Sequence, residues 1–195
     1  MNVFKSLILI IFVSFSVQAK TVSEKFERNN FDEAKKSTPY LKFTGTSTKF
    51  GFVSTDFDGY AKNFELSYDF DQKTQTLQSI SLTILTISLD TDNSSRNEKL
   101  HTKCLAENES KKIIAEAIAP IKLQIGEKQE TSIKMIANKK EILIPLTYSV
   151  IKTNEGFQII LNGHFSFKEA GITDPSIAIA KLEEKIRIEG VINLK

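Results

Sequence analysis

At 195 residues, 41% of them hydrophobic and 26% charged, the chain has the size and balance of one globular domain with its own core. Its 26 lysines and arginines against 24 acids leave a net charge of +2, with no basic block, which excludes the electrostatic field that nucleic-acid binding needs. Cys104 is the single cysteine, so an intramolecular disulfide is excluded and the fold must be held by packing.

Residues 1–19 read as a cleavable secretory signal. Lys5 supplies a positive start, Leu7 to Val17 an apolar run, and Val17-Gln18-Ala19 a small-residue cleavage site. As a helix that run rises only about 16 Å, short of a bilayer core of roughly 30 Å. The mature chain is expected to start at Lys20, without a stable transmembrane anchor, in the periplasm or outside the cell. Residues 20–38 are polar and charged, with Val22, Phe26 and Phe31 as their few large apolar side chains. They form a short helix or loose arm, and Pro39 marks the start of a β domain over 39–195.

Tyr40 to Thr48 reads as a first strand with Leu41 and Phe43 on one face. Phe50 to Phe57 is an irregular apolar stretch ending at an Asp58-Gly59 turn signal. In Lys62 to Asp71, Phe64, Leu66, Tyr68 and Phe70 alternate with polar residues, the pattern of a half-buried strand. The next strand is long: Ile80, Leu82 and Ile84 share one face, then Leu85, Ile87 and Leu89 take over the other. That change of phase predicts a bulge or a strand covered on both faces. After Asp90-Thr91-Asp92-Asn93, Ser95 and Glu98 stand at capping-box spacing, and Leu100 and Cys104 fall on one face of the short helix that follows.

Ile113 to Ile125 is another extended run, and Thr131 to Ala137 a short strand. Ile142, Ile144, Leu146, Tyr148 and Val150 share a face, with Pro145 opposite marking an edge or bulge. Phe157 to Phe167 repeats the pattern, and Ile186, Ile188, Ile192 and Leu194 end the chain in a strand. About eight strands of hairpin connectivity close as a sandwich or as a barrel. Their length favours an antiparallel β-barrel, whose strands tilt around an interior wide enough for side chains or one slender ligand.

The polar inventory does not suggest chemistry. His101 and His164 lack metal-ligand spacing, no nucleophile elbow or glycine-rich phosphate loop is present, and no catalytic residue, metal or cofactor is expected. Asp90 and Asp92 beside Arg96 form the most suggestive group: a carboxylate–guanidinium pair at a helix start, with Arg96 alternatively meeting an anionic lipid head group.

Several segments together resemble the YceI-like family of exported, lipocalin-like barrels. They are Phe43-Thr44-Gly45-Thr46, Phe57-Asp58-Gly59, Ile87-Ser88-Leu89-Asp90-Thr91 with Arg96 to Leu100, Gly163 to Ile172, and Pro175-Ser176-Ile177-Ala178-Ile179-Ala180. The resemblance spans Tyr40 to Lys195. It implies an extended lipocalin-like barrel with short helices at the rim, its apolar bore holding a polyisoprenoid or similar long-chain lipid for transport, storage or sequestration. The lining expected on that basis includes Phe43, Phe64, Leu66, Tyr68, Phe70, Leu146, Tyr148, Ile159 and Leu161, with Arg96 at the mouth and Asp174-Pro175 starting a short helical cap. The alternative is a ligand-free envelope module that binds another protein, its bore filled solid. A monomer or homodimer is expected.

Overall fold

The structure is a computed structural model and describes residues 21–105 and 111–195; the expected signal segment lies outside them. The described chain is almost entirely antiparallel sheet. In order it forms β1 (Thr21–Phe26), α1 (Phe31–Lys36), β2 (Tyr40–Lys49), β3 (Val53–Ala61), β4 (Phe64–Asp71) and β5 (Thr76–Leu85). Next come β6 (Leu89–Asp90), α2 (Ser94–Lys99), β7 (Lys112–Ala117), β8 (Ile121–Lys122) and β9 (Lys128–Ala137). The chain ends with β10 (Lys140–Thr153), β11 (Gly156–Ser166), β12 (Ala180–Leu182) and β13 (Lys185–Leu194).

One sheet joins them in the order β1-β4-β5-β7-β9-β10-β11-β13-β2-β3-β6, with β8 on β5 and β12 on β2. The sheet curls on itself. Leu41 and Phe43 of β2 pack in one apolar cluster with Phe64 of β4 and Ile84 of β5, which lie far away along the sheet path. At the seam the backbone closes the gap: Arg28 N–H donates to the Lys62 carbonyl, and Lys62 N–H to that of Ser88.

Among the described residues the expected count of about eight strands becomes thirteen. The two- and three-residue strands β6, β8 and β12 carry too little sequence pattern to read, and β1 lies in the stretch expected to be a helix or loose arm. That stretch holds a helix too, α1, while β1 pairs with β4 from Thr21↔Asp69 to Phe26↔Phe64.

The change of phase near Leu85 has a physical cause other than a bulge. The chain leaves β5 there, makes a 3-10 turn over Thr86–Ser88, and joins β3 at the opposite edge of the sheet as β6. Leu85 and Ile87 are consequently exposed, and Leu89 is buried.

The Asp58-Gly59 turn is also corrected. Gly59 lies inside β3, opposite Phe43, and the hairpin turns instead at Phe50-Gly51-Phe52. The 113–125 run divides into β7 and β8 before Ile125, and β9 starts at Lys128, ahead of the expected Thr131. Pro145 sits where β10 stops pairing with β11, a local edge that needs no N–H.

Asn93, not Ser95, caps α2: its side-chain oxygen accepts from Arg96 N–H at 2.9 Å. Ser95 is already inside the helix. No helix starts at Asp174-Pro175, where Asp174 Oδ1 instead accepts from Ser176 N–H at 2.9 Å in a tight turn. After α2 the chain widens into a single π-helical segment, Leu100–Cys104, and Leu105 N–H donates to the Leu100 carbonyl at 3.0 Å. Cys104 is buried, as its helical face predicts.

Candidate functional site: an apolar bore with a cationic mouth

Alternation along the strands turns an apolar side chain inward at every second position. At one end these side chains meet. Leu66, Tyr68, Leu77, Leu123, Val150 and Leu194 are almost wholly buried and form a packed plug where β4 turns into β5 and β10 into β11. Above the plug they do not meet, leaving a cavity of about 560 Å³, within the range typical of small-molecule sites. Its floor is Tyr148, Ile159 and Ile192. The Tyr148 hydroxyl lies 2.9 Å from Gln129 Oε1 and 3.2 Å from the Lys122 carbonyl, so the phenol brings no unmet polar group to the floor.

Two reciprocal cross-strand pairs keep the upper bore clear. Phe43 stands directly opposite Gly59, and Phe57 opposite Gly45. A Cβ at Gly45 would come 2.6 Å from Phe57 Cζ, and one at Gly59 would overlap the Phe43 ring. Each ring therefore lies flat over its glycine, against the wall. Both phenylalanines line the cavity.

The mouth opens where the lining residues are exposed: Lys49 on the β2–β3 hairpin, Asn93 and Ser95 at α2, and Ile177 in the 175–182 loop. Arg96 is fixed there by a chain of contacts that starts at the seam. Lys62 Nζ pairs with Asp90 Oδ2 at 3.1 Å, and Asp90 Oδ1 accepts from Asn97 Nδ2 at 2.8 Å and Asp92 N–H at 3.0 Å. Asn97 Oδ1 accepts from the hydroxyl and N–H of Thr91, and Thr91 accepts from Arg96, at Oγ1 from Nε (3.0 Å) and at the carbonyl from Nη2 (3.3 Å). The guanidinium then stacks over the Phe57 ring, 4.2 Å from its centroid.

Burial would raise the Asp90 pKa, but the bonds from Asn97 and Asp92 and the Lys62 pair hold it below the usual carboxylate value. Burial draws the Arg96 pKa down, partly offset by Asp92. The expected contact of Arg96 with Asp90 and Asp92 is thus replaced: Lys62 takes the Asp90 carboxylate, Asp92 acts on Arg96 only through its charge, and the guanidinium is held by neutral oxygens and an aromatic face.

Of the lining residues expected from sequence, Phe43, Leu146, Tyr148, Ile159, Leu161 and Arg96 stand on the cavity wall. Phe64, Leu66, Tyr68 and Phe70 do not; they lie on β4 where β1 and the plug pack against them. The inward residues of β5, Ile80, Leu82 and Ile84, line it instead. Their alternation was visible, but nothing in it tells a side chain facing a void from one facing a neighbour. His101 Nε2 lies 2.8 Å from the Leu89 carbonyl and His164 is exposed on β11. Among the described residues no cluster of His, Cys, Asp or Glu could hold a metal ion. No helix among them is long and apolar enough to cross a membrane.

No family model matches the chain, and no curated protein does. Solved structures do. BcnA of Burkholderia cenocepacia superposes with a TM-score of 0.61 at 14% identity, over 77% of this chain and 94% of that one. The YceI protein of Campylobacter jejuni superposes with a TM-score of 0.54 at 15% identity, over 87% of this chain and 100% of that one. A polyisoprenoid binding domain from Saccharophagus degradans reaches only 0.49 at 12% identity, over 78% of this chain and 90% of that one, too distant to argue from. At these identities the likeness is one of fold: the chain folds as the YceI protein does, an all-β lipocalin-like architecture.

Proposed function

We propose that this chain is an exported lipid-binding protein of the YceI-like kind, taking the tail of a polyisoprenoid or similar long-chain lipid into its bore for transport, storage or sequestration. The observation that carries this reading is the apolar cavity of about 560 Å³ above the plug, open at a cationic mouth. Burying about ten methylenes at about 0.8 kcal/mol each gives about 8 kcal/mol, a dissociation constant of about 1 µM before ordering costs. Shape and dryness are sufficient for such binding, and no catalytic group is required of the wall. Arg96 is placed to meet a polar head while the tail lies below it. Export to the periplasm or beyond rests on the signal pattern of residues 1–19. The chain motifs and the shared fold support the family reading; the bore supports the ligand class.

The test is lipid extraction and mass spectrometry on protein purified from its native compartment, with uptake of a fluorescent isoprenoid analogue. Recovery of a stoichiometric long-chain lipid is the expected result. Absence of any apolar molecule together with no uptake would overturn the proposal and return the chain to the class of protein-interaction modules.

A further inference from the structure

The β2–β3 hairpin turns through Phe50 and Gly51, both in the left-handed region at φ 52° and 81°. Turns of this kind favour Asn-Gly, because Asn tolerates positive φ and a bulky side chain does not. Phe50 therefore stands where the fold would be better served by asparagine. It is also 66% exposed, and Phe52 is 80% exposed. Phe50 N–H donates to the Ile179 carbonyl at 2.9 Å, and Lys49 pairs with Ala180, tying the hairpin to the 175–182 loop. That loop presents Ile177 and Ile179, 50% and 57% exposed. Two phenylalanines and two isoleucines thus form one outward platform, a concentration of apolar surface that marks an interaction site.

The platform adjoins the bore. Lys49, Ile177 and Ala180 line the cavity mouth, together with Arg96 and Lys99. None of these three cations has a carboxylate within 4 Å among the described residues. Apolar side chains at the tip with unpaired cations just behind them match a bilayer interface, where acyl chains lie below anionic phosphates.

We propose that this rim docks the protein on an anionic lipid bilayer, with Phe50, Phe52, Ile177 and Ile179 inserted and Lys49 and Lys99 on the phosphates, so that the ligand passes between membrane and bore without crossing water. This rests on the lipid-binding reading above and adds where the lipid enters.

The experiment is co-flotation of the purified exported protein with vesicles of mixed phosphatidylcholine and phosphatidylglycerol, comparing wild type with Phe50→Asn/Phe52→Ser. Uptake of the fluorescent isoprenoid, delivered from organic solvent without vesicles, is measured on both. Asparagine suits the turn, so the variant should keep its thermal stability. The expected result is flotation of the wild type, reduced at least about tenfold in the variant, with solvent-delivered uptake equal in the two. Equal flotation of both, or flotation of neither, overturns the docking surface while leaving the bore reading intact. A wild-type dimer dissolved by the variant, with no vesicle binding, overturns it in favour of a second copy. Patch-dependent flotation with no uptake in either sustains the surface and overturns the bore reading.

Discussion

Phe43 lies flat over Gly59, its direct partner across β2 and β3, because no side chain at position 59 holds the ring off the sheet. Gly59→Ala should force that ring inward, since the new Cβ would occupy its place. The expected cost is about 1–3 kcal/mol of stability, as for other overpacking changes, together with weaker uptake of an apolar probe. Phe43→Ala in the same chain should relieve the clash, so the double variant should be more stable than additivity predicts. Denaturant unfolding of the four proteins measures this, and a coupling of zero would show that Phe43 does not depend on Gly59.

The bore can be filled from its own wall. Ala115 of β7 lines the cavity and faces open space. Ala115→Phe should therefore remove room for the ligand without straining the fold, lowering probe affinity at least about tenfold while leaving thermal stability level or higher. A loss of stability comparable to that of a core overpacking change would mean that the space is not available to a side chain.

Most of the fold was legible because inward alternation is a local property. The faces of β10 and β13 read directly from Ile144 to Val150 and from Ile186 to Leu194, all buried or partly buried as expected. What failed depended on partners distant in sequence. Asp58-Gly59 has the composition of a turn, yet Gly59 is a strand residue whose lack of a side chain answers to Phe43, sixteen positions earlier (about the reach of a hairpin). Phe64, Leu66, Tyr68 and Phe70 showed the cleanest alternation of all, and stand in the solid part of the molecule. Alternation marks the inner face; whether that face meets a void depends on what stands across from it. Asp90, Asp92 and Arg96 stand together in the sequence, and the structure does link Asp90 to Arg96, but through Asn97 and Thr91, with Lys62 as the carboxylate's partner and Asp92 reaching Asp90 by its backbone N–H.

Arg96 is held from behind by Thr91 and below by the Phe57 ring, which leaves its charge available to a ligand head at the mouth. Arg96→Met keeps the stem and removes the charge. Binding of a short prenyl phosphate should weaken about tenfold, the worth of a charge-assisted hydrogen bond, while the corresponding prenyl alcohol should bind nearly as before. Equal losses for both ligands would assign Arg96 to wall support alone.

The cap of α2 gives a test that separates two neighbouring residues. Asn93 accepts from Arg96 N–H, so Asn93→Ala should cost about 1 kcal/mol. Ser95→Ala lies within the helix on an exposed position and should change stability by less than about 0.5 kcal/mol. Thermal unfolding of the two variants, side by side, checks the assignment, and the reverse order would restore Ser95 as the cap.

Cys104 lines the bore, and burial pushes its thiol up to about 11, with Asp174 adding to the shift and Lys103 and Lys99 opposing it. The neutral thiol is therefore favoured by the folded state. Its contribution to stability is fully present below the ordinary thiol value of 9.0 and is lost as pH rises through about 11. Tyr40, raised to about 12 by burial and by its hydrogen bond to Glu189, acts in the same direction at slightly higher pH. Stability should accordingly fall between pH 9 and 11, and Cys104→Ala should make that fall shallower without abolishing it, because Tyr40 remains. The thiol should also react with a disulfide reagent at pH 8 far more slowly than a free thiol, because the raised pKa leaves little of its sulfur as the reactive thiolate, and a bound ligand should slow it further. A fast, ligand-insensitive reaction would place Cys104 outside the bore.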